Sequence, residues 1–306
     1  MSAHDAPPPA WPLKQRELQN HHMDSTRWNG FAFRDGDIVI ATWAKSGTTW
    51  MQQIVAQLIY DDADTVSIMD LAPWVDQRYA PIEQVRATLD AQTHRRFMKT
   101  HLPVEALVFS PRARYLYIAR DGRDALMSWY NHHQAYNDAA YAMINDTPGR
   151  VGPPLERPCA DIARYFREWL DGDGFPAWPF FGNVRSWWEI RALPNVLLLH
   201  YNDLLADLEG QMRRIADFLD IDIAPARWPA IVHRCTFDYM KANAERIAPH
   251  IRKRMDGGAA RFIHKGTNGR WRAVLPAADV ARYERLAEDE LGASCAAWLA
   301  QGGPTD

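Results

Sequence analysis

Residues 37–60 constrain the fold of this chain more than any other stretch, because three kinds of local pattern follow one another there. Residues 37–43 are apolar and rich in β-branched side chains, which is typical of a parallel strand buried on both faces. After residue 49, apolar side chains recur three and four positions apart, as on one face of a helix: Met51, Ile54, Val55, Leu58 and Ile59. The pattern predicts a strand, a tight turn and a helix in succession.

The turn between this strand and this helix, residues 44–49, consists of small and polar residues. A turn that opens a helix after a buried strand presents free backbone N–H groups and the positive end of the helix dipole. Such a position binds anions, most often phosphate. Lys45 adds a full positive charge, and three other side chains add hydroxyl donors: Ser46, Thr48 and Thr49. We therefore expect a phosphate-binding loop after the first strand.

The order of residues in this loop differs from that of nucleoside-triphosphate loops, G-x-x-x-x-G-K-[ST], in which the lysine follows the second glycine. Here Lys45 precedes Gly47, and the four residues before Lys45 include no glycine. Residues 45–50 (K-S-G-T-T-W, ending at Trp50) resemble the 5′-phosphosulfate loop of sulfotransferases that use 3′-phosphoadenosine 5′-phosphosulfate (PAPS). For this loop taken alone, an ordinary polar turn with Trp50 in the core is the alternative.

Composition restricts the class of protein. Lysine and arginine number 35 against 38 acidic residues, a formal net charge of −3, which argues against nucleic acid or an anionic membrane as the main partner. The three cysteines, Cys159, Cys235 and Cys295, have no metal-ligand spacing and suit a reducing compartment. No uncharged apolar stretch approaches the ~20 residues of a membrane helix, and residues 1–11 do not resemble a signal peptide. We expect a cytoplasmic protein without a membrane span.

Strand and helix patterns alternate along the rest of the chain. Further strands are predicted at residues 96–100, 114–120 and 195–201, and helices at 82–94, 121–135, 162–170, 203–219 and 277–299. This alternation predicts an α/β fold with a doubly wound central parallel sheet flanked by helices. We expect a single domain over residues 1–306, with a loose arm at 1–30 and an irregular lid or acceptor region at 137–182.

Polar side chains stand where three of the predicted strands end. Lys45 follows the first strand, Lys99 and His101 lie at the end of the second, and Arg120 ends the third. Ligands of open parallel sheets bind beyond the carboxyl ends of the strands, so the three cations would form one pocket for a multiply charged anion. His101 beside them would act as a base near neutral pH, although a lone histidine is commonly structural.

The resemblance to the PAPS-dependent sulfotransferases, those of the cytosolic type, extends to these strand ends. Residues 99–103 (K-T-H-L-P) resemble the family's K-T-H-x-P segment, which implies that His101 is the general base and that Lys99 contacts the sulfuryl oxygens. Residues 120–128 resemble the family's 3′-phosphate segment, which implies that Arg120 and Ser128 bind that phosphate.

Three later segments complete the resemblance. Tyr201 corresponds to a strand-end tyrosine that touches the adenine, and residues 235–241 resemble T-S-F-x-x-M-K, whose phenylalanine, here Phe237, stacks on the adenine opposite the loop tryptophan. Residues 262–271 resemble R-K-G-x-x-G-D-W, a second 3′-phosphate segment that includes His264, Lys265 and Gly266. This segment departs from the pattern twice, because His264 replaces an arginine and Arg270 replaces an aspartate.

The resemblance implies an enzyme that moves a sulfuryl group from PAPS to a hydroxyl of a small acceptor and leaves adenosine 3′,5′-bisphosphate. Lys45 would stabilise the leaving phosphate, and no metal is needed. Aromatic candidates for the acceptor wall suggest an apolar or aromatic alcohol: Trp74, Tyr79, Tyr136, Trp178, Phe180, Phe181, Trp187 and Trp188. The family's dimer motif is not recognisable around residues 272–276, which leaves an oligomer open.

Two other functions remain as alternatives at this point. A P-loop kinase or other NTPase would bind ATP with magnesium, and the order of lysine and glycine in the loop counts against it. A non-catalytic nucleotide-binding protein would bind the adenosine nucleotide but would not depend on His101.

Overall fold

The computed structural model describes residues 11–60 and 67–305, which contain a four-stranded parallel sheet. Its strands are β1 (Asp37–Ala41), β2 (Phe97–Thr100), β3 (Ala113–Ala119) and β4 (Val196–His200), in the order β2-β1-β3-β4. The chain passes from β1 to β2 on one side and then to β3 on the other side of β1. The strand order therefore reverses between β1 and β3, which is where ligands of doubly wound sheets bind. The predicted α/β fold is confirmed.

Helices connect these strands and cover the sheet. They are α1 (Thr48–Ile59), α2 (Ile68–Leu71), α3 (Ile82–Asp90), α4 (Gly122–Ala135), α5 (Asp138–Asp146), α6 (Ile162–Asp171), α7 (Phe181–Glu189), α8 (Tyr201–Ala206), α9 (Leu208–Phe218), α10 (Trp228–Arg234), α11 (Phe237–Ala242), α12 (Ala244–Ile247), α13 (Gly258–Phe262) and α14 (Ala277–Gln301). In the part of the chain that the structure describes, none of these helices is both long and apolar enough to cross a membrane.

Alternate residues of the sheet pack into two separate cores. Val39 and Ala41 of β1 belong to a core with α4, α6, α7 and α14, whereas Ile38 and Ile40 belong to a core with α1, α9 and α10. All five residues of β1 are buried. Because a parallel strand covered on both faces has no solvent side, residues 38–41 are all apolar, and the buried Asp37 at the start of the strand is paired with Arg96.

The N-terminal segment corrects one prediction. A loose arm is wrong for residues 11–30, because Met23 and Trp28 are fully buried in the core and Trp28 Nε1 donates a hydrogen bond to Asp76 Oδ1 at 3.1 Å. Residues 1–10 lie outside the described residues. This segment has neither helical nor strand periodicity, so its burial depends on contacts with the sheet that local sequence does not reveal.

Several element boundaries also differ from the predictions. The helix predicted at 82–94 ends at Asp90, and the one predicted at 203–219 is two helices, α8 and α9. They meet at Asp207, whose side chain accepts a hydrogen bond from Gly210 N at 2.9 Å and so caps α9. The region 137–182 contains α5 in addition to the predicted helix, α6.

A buried ion pair fixes the end of the sheet opposite the carboxyl ends of the strands. Arg96 donates from Nε to Asp37 Oδ1 at 2.9 Å and from Nη2 to Asp37 Oδ2 at 2.6 Å, and both side chains are almost fully buried. The same Nη2 also donates to the carbonyl oxygen of Ala32. This pair aligns β1 with β2 without contacting the candidate site described below.

Candidate active site

A cavity of about 290 Å³ opens at the carboxyl ends of β1, β2 and β3, at the point where the strand order reverses. All but one of the site residues predicted from the sequence line this cavity: Lys45, Gly47, Thr48, Thr49, Trp50, Lys99, His101, Arg120, Ser128, Tyr201, Phe237, His264, Lys265 and Gly266. The exception, Ser46, is buried beside the cavity without lining it. Residues that are far apart in the sequence therefore share one site.

The loop between β1 and α1 has the backbone geometry of an anion site. Gly47 has a φ of 120°, and a Cβ there would lie 2.8 Å from Ile118 Cδ1 and 3.2 Å from Tyr201 Cδ2, so only glycine fits. Lys45 has a φ of 65°, an uncommon value for a residue with a side chain. The helix α1 begins at Thr48, where its first N–H groups have no partner within the helix and face the cavity.

Three cations lie close together in this cavity. Burial, followed by the charges of Arg120 and Lys99, lowers the pKa of Lys45 from 10.5 to about 7. Burial also lowers the pKa of Lys99 to about 8, although Asp76 acts in the opposite direction. No carboxylate contributes to the pKa shift of Lys45. The charges that act on buried Lys45 are all positive, so an anion among these side chains would relieve their repulsion, and the cluster is suited to a multiply charged anion.

Arg120, at the end of β3, connects the loop at residues 266–270 with the loop that follows β1. Its guanidinium donates to Asn268 Oδ1 at 2.7 Å, to the carbonyl oxygen of Thr267 at 3.0 Å and to that of Lys45 at 3.3 Å. The guanidinium carbon also lies 4.1 Å from the ring centre of Tyr201. Arg120 therefore positions the walls of the cavity as well as supplying charge.

Aromatic rings form one end of the cavity. Trp50 Nε1 donates a hydrogen bond to the carbonyl oxygen of Cys235 at 2.7 Å. The ring of Trp50 packs edge-on against the ring of Tyr201, with 5.2 Å between the ring centres. The ring of Phe237 packs against the backbone of Gly266, where any Cβ would collide with it. A flat, uncharged heterocycle fits such a site better than a charged group does.

His101 is held in one tautomer. Its Nδ1 lies 2.8 Å from the carbonyl oxygen of Thr42, which can only accept a hydrogen bond, so Nδ1 carries the hydrogen and Nε2 carries the lone pair. Burial, followed by the charge of Lys99, lowers the pKa of His101 from 6.5 to about 3. The imidazole packs against Trp74 and Trp178, with ring centres 4.7 and 5.6 Å away. At neutral pH it is an uncharged group able to accept a proton on Nε2.

Comparisons with known proteins agree with this geometry. The family described as "Sulfotransferase domain" matches residues 35–295, most of the chain. The chain belongs to the sulfotransferase family. A protein of Mycobacterium bovis (strain BCG / Pasteur 1173P2) named glycolipid sulfotransferase is 33% identical over 318 aligned positions, gaps included. The alignment covers 95% of this chain and 96% of that protein. Sulfotransferase 1 family member D1 of Rattus norvegicus is 29% identical and covers 85% of this chain and 83% of its own.

Solved structures share the fold of this sulfotransferase. Retinol dehydratase in a complex with retinol and PAP has a TM-score of 0.71 and 23% identity, with coverage of 87% of this chain and 84% of that one. Mouse sulfotransferase SULT7A1 complexed with PAP has a TM-score of 0.66 and 22% identity, with coverage of 86% of each chain. The predictions of the family and of the enzyme class are confirmed.

In segment 262–271 of this sulfotransferase, the two residues that differ from the family pattern, His264 and Arg270, both line the cavity. His264 is uncharged at neutral pH, because burial, followed by the charges of Arg270 and Lys265, lowers its pKa to about 4. Arg270 also lines the cavity, and its buried Nε has no hydrogen-bond partner. Local sequence shows only that Arg270 stands where the family has an aspartate, since the position of its side chain in the cavity depends on the fold.

The aromatic candidates for the acceptor wall divide into two groups. Trp74, Tyr79, Tyr136 and Trp178 line the cavity. The prediction is wrong for Phe180, Phe181, Trp187 and Trp188, which are buried in the core around α7 and α14 and do not line it. Several further residues that were not predicted from the sequence also line the cavity: His22, Trp129, Met143, Ile144, Met255 and Phe262. His132, likewise not predicted as a site residue, lines the cavity too, and its position one helical turn after Ser128 was a usable signal.

Proposed function

We propose that this sulfotransferase moves a sulfuryl group from PAPS to a hydroxyl of its acceptor, with His101 as the general base. The observation that carries the proposal is an uncharged imidazole in a fixed tautomer, in one cavity with Lys45 and Lys99. An anionic donor and an alcohol would meet between these groups. The finer roles below extend the family assignment to individual residues.

The cavity suits a doubly phosphorylated adenosine in its charge and its shape. Lys45, Lys99 and Arg120 supply positive charge, and the first N–H groups of α1, which have no partner within the helix, add hydrogen-bond donors. The unpaired Nε of Arg270 is a donor without an acceptor, which an anion would satisfy. Ser128 and Lys265 line the same cavity, and Trp50, Tyr201 and Phe237 would bracket the adenine.

Each residue near the reacting atoms would have a distinct role. The bound donor supplies an electrophilic sulfuryl group. His101 Nε2 removes the proton of the acceptor hydroxyl, while the hydrogen bond from Nδ1 to Thr42 keeps the ring oriented. Lys45 and the N–H groups at the start of α1 stabilise negative charge on the departing phosphate oxygen. Lys99 lies beside His101 and would hold the sulfuryl oxygens.

The pKa of His101 should depend on whether the donor is bound. In the free protein the charges of Lys99 and Lys45 both lower this pKa. A polyanion between the lysines would offset their charges and raise the pKa of His101, because opposite charge favours the protonated ring. The base would become stronger when the donor is present.

The acceptor is proposed to be a small alcohol with a largely apolar or aromatic body, because Trp74, Tyr136 and Trp178 line the cavity with methionine and isoleucine side chains. Two relatives at 33% identity are named glycolipid sulfotransferases, which favours an amphiphilic alcohol. A cytoplasmic location stays a prediction from the sequence.

Binding and transfer measurements test the proposal separately. Calorimetry should show that the protein binds adenosine 3′,5′-bisphosphate without magnesium and in preference to ATP with magnesium. With radiolabelled PAPS and a panel of alcohols, His101→Ala should bind the bisphosphate as the wild type does but lose nearly all transfer. Preference for ATP with magnesium, or transfer that His101→Ala leaves unchanged, would refute the proposed roles.

A further inference from the structure

Another histidine of the cavity lining, His22, has no part in the chemistry proposed above. It is buried in the N-terminal segment, and its ring packs near Trp74 and Trp178, with ring centres 6.5 and 6.0 Å away. These are the same two indoles that flank His101. His22 is therefore a neighbour of the place where the reacting hydroxyl would lie.

Hydrogen bonds fix which nitrogen of His22 carries the lone pair. His21 Nε2 lies 2.6 Å from the carbonyl oxygen of Pro176, so this nitrogen must be the donor. Burial lowers the pKa of His21 to about 4, so the ring is neutral and its Nδ1 can only accept. His22 Nδ1 lies 2.6 Å from that atom and must donate to it. In neutral His22 the lone pair is consequently on Nε2.

Hydrogen bonds of the backbone also hold His22 in place, in addition to the side-chain hydrogen bonds through His21. Asn20 Oδ1 accepts hydrogen bonds from the N–H groups of His22 and Met23, both at 2.8 Å. The carbonyl oxygen of His22 accepts from Arg78 N at 3.1 Å. The position of the ring is therefore set before any acceptor enters, as specific recognition requires.

The lone pair of His22 Nε2 has no partner. This atom is buried and accepts no hydrogen bond, and five other buried polar atoms of lining residues are also unpaired: Tyr79 OH, Trp129 Nε1, Trp178 Nε1, His264 Nδ1 and Arg270 Nε. A buried polar atom without a partner is costly, and native structures usually satisfy it. A ligand with several hydroxyl groups would satisfy these atoms, whereas a simple phenol or steroid alcohol has its one hydroxyl at His101.

We propose that His22 Nε2 accepts a hydrogen bond from a second hydroxyl of the acceptor, which makes the acceptor an amphiphilic polyol such as an alkyl glycoside. This inference rests on the proposed function. The hydroxyls of the polar part would lie between His101 and His22. The apolar part would contact the side chains that complete the wall, among them Met143, Ile144 and Met255.

Suitable acceptor probes are octyl glucoside, a set of octyl glucosides that each lack one hydroxyl, and 1-octanol. Mass spectrometry of the product identifies the hydroxyl that receives the sulfuryl group. Among the deoxy compounds that keep this hydroxyl, one should have a kcat/KM with the wild type about 10- to 100-fold below that of the parent. The reason is that the hydroxyl missing from that compound is the one that would pair with His22. Octanol should be a poorer acceptor than the parent glucoside.

Two variants of His22 separate its roles. In His22→Asn the amide can still donate to His21 but has no acceptor at the place of Nε2, so the difference between the parent and the sensitive deoxy compound should largely disappear. His22→Gln reaches that place with an amide oxygen and should restore part of the difference. Both variants should keep the wild-type affinity for adenosine 3′,5′-bisphosphate, which shows that the fold and donor site are intact.

The possible failures are distinguishable. If His22→Asn keeps the full discrimination between parent and deoxy compounds, or if the wild type uses octanol as well as octyl glucoside, the role of His22 is wrong and the proposed transfer stands. If the wild type binds adenosine 3′,5′-bisphosphate but transfers sulfate to none of these alcohols or to the wider panel, both proposals fail.

Discussion

Binding of adenosine 3′,5′-bisphosphate is expected to take up protons at mildly alkaline pH. In the free protein, burial and mutual repulsion lower the pKa of Lys45 to about 7 and burial lowers that of Lys99 to about 8. A bound polyanion would favour the charged form of both lysines and raise their pKa values toward the usual 10.5. Each lysine that is neutral before binding then gains a proton during binding.

The size of this uptake follows from the two pKa values. At pH 8, Lys45 is charged in ~0.1 of the molecules and Lys99 in ~0.5, so full charging on binding takes up ~1.4 protons per ligand. At pH 6 both lysines are already charged, and their uptake falls to ~0.1. Because the complex has the higher pKa values, affinity falls as the pH rises, by roughly 25-fold per pH unit near pH 8.

Isothermal titration calorimetry in phosphate and in Tris at the same pH measures the uptake, since the two buffers have different heats of ionisation. Lys45→Met should lower the uptake at pH 8 by about 0.9 protons. Lys253→Met, which removes an exposed lysine outside the cavity, is the matched control and should match the wild type. Heats that do not depend on the buffer, together with an affinity that is constant from pH 6 to 8.5, would refute the account of buried, partly neutral lysines.

Three further predictions concern the donor site and the sheet. Gly266→Ala should weaken binding of the bisphosphate by about 1–3 kcal/mol, because its Cβ would displace an aromatic ring and its φ is 64°; calorimetry measures the loss. Arg270→Ala should weaken the same binding by about 1.5–3 kcal/mol, and His264→Arg in that background should recover part of it, whereas no recovery would mean that the two positions do not share an anion. Asp37→Ala removes both buried hydrogen bonds from Arg96 to Asp37 and leaves the exposed Asp90, 3.1 Å from Nη1, as its carboxylate partner, so urea denaturation should show a loss of about 3 kcal/mol in the free energy of unfolding with the bisphosphate affinity unchanged in the folded protein.

The sequence alone predicted the parts of this protein that depend on local pattern. The continuous apolar run of β1 predicts a strand covered on both faces, and the period of α1 predicts a helix with a buried stripe. The order of lysine and glycine at 45–47 favours a phosphosulfate loop over a triphosphate loop. Strand ends carry Lys45, His101 and Arg120 to one edge of any parallel sheet, so their meeting in one cavity was predictable.

Local pattern was insufficient wherever burial depends on distant segments. Trp28 and Trp187 look alike as isolated aromatic residues, and only the packing of the N-terminal segment and α7 shows that both belong to the core. The helix predicted at 203–219 breaks at Asp207 because the side chain of that residue caps a new helix.

The sequence by itself determined the class of fold and predicted the donor loop and the candidate base, because strand and helix periods and strand ends are local properties of the chain. Only the tertiary structure decided which aromatic residues line the cavity, that Arg270 lies in it with His264, and that His21 orients His22. The physical reason is that a hydrogen-bond relay needs atoms within about 3 Å of one another. His21 and Pro176 are brought that close by folding, and their separation along the chain carries no sign of it.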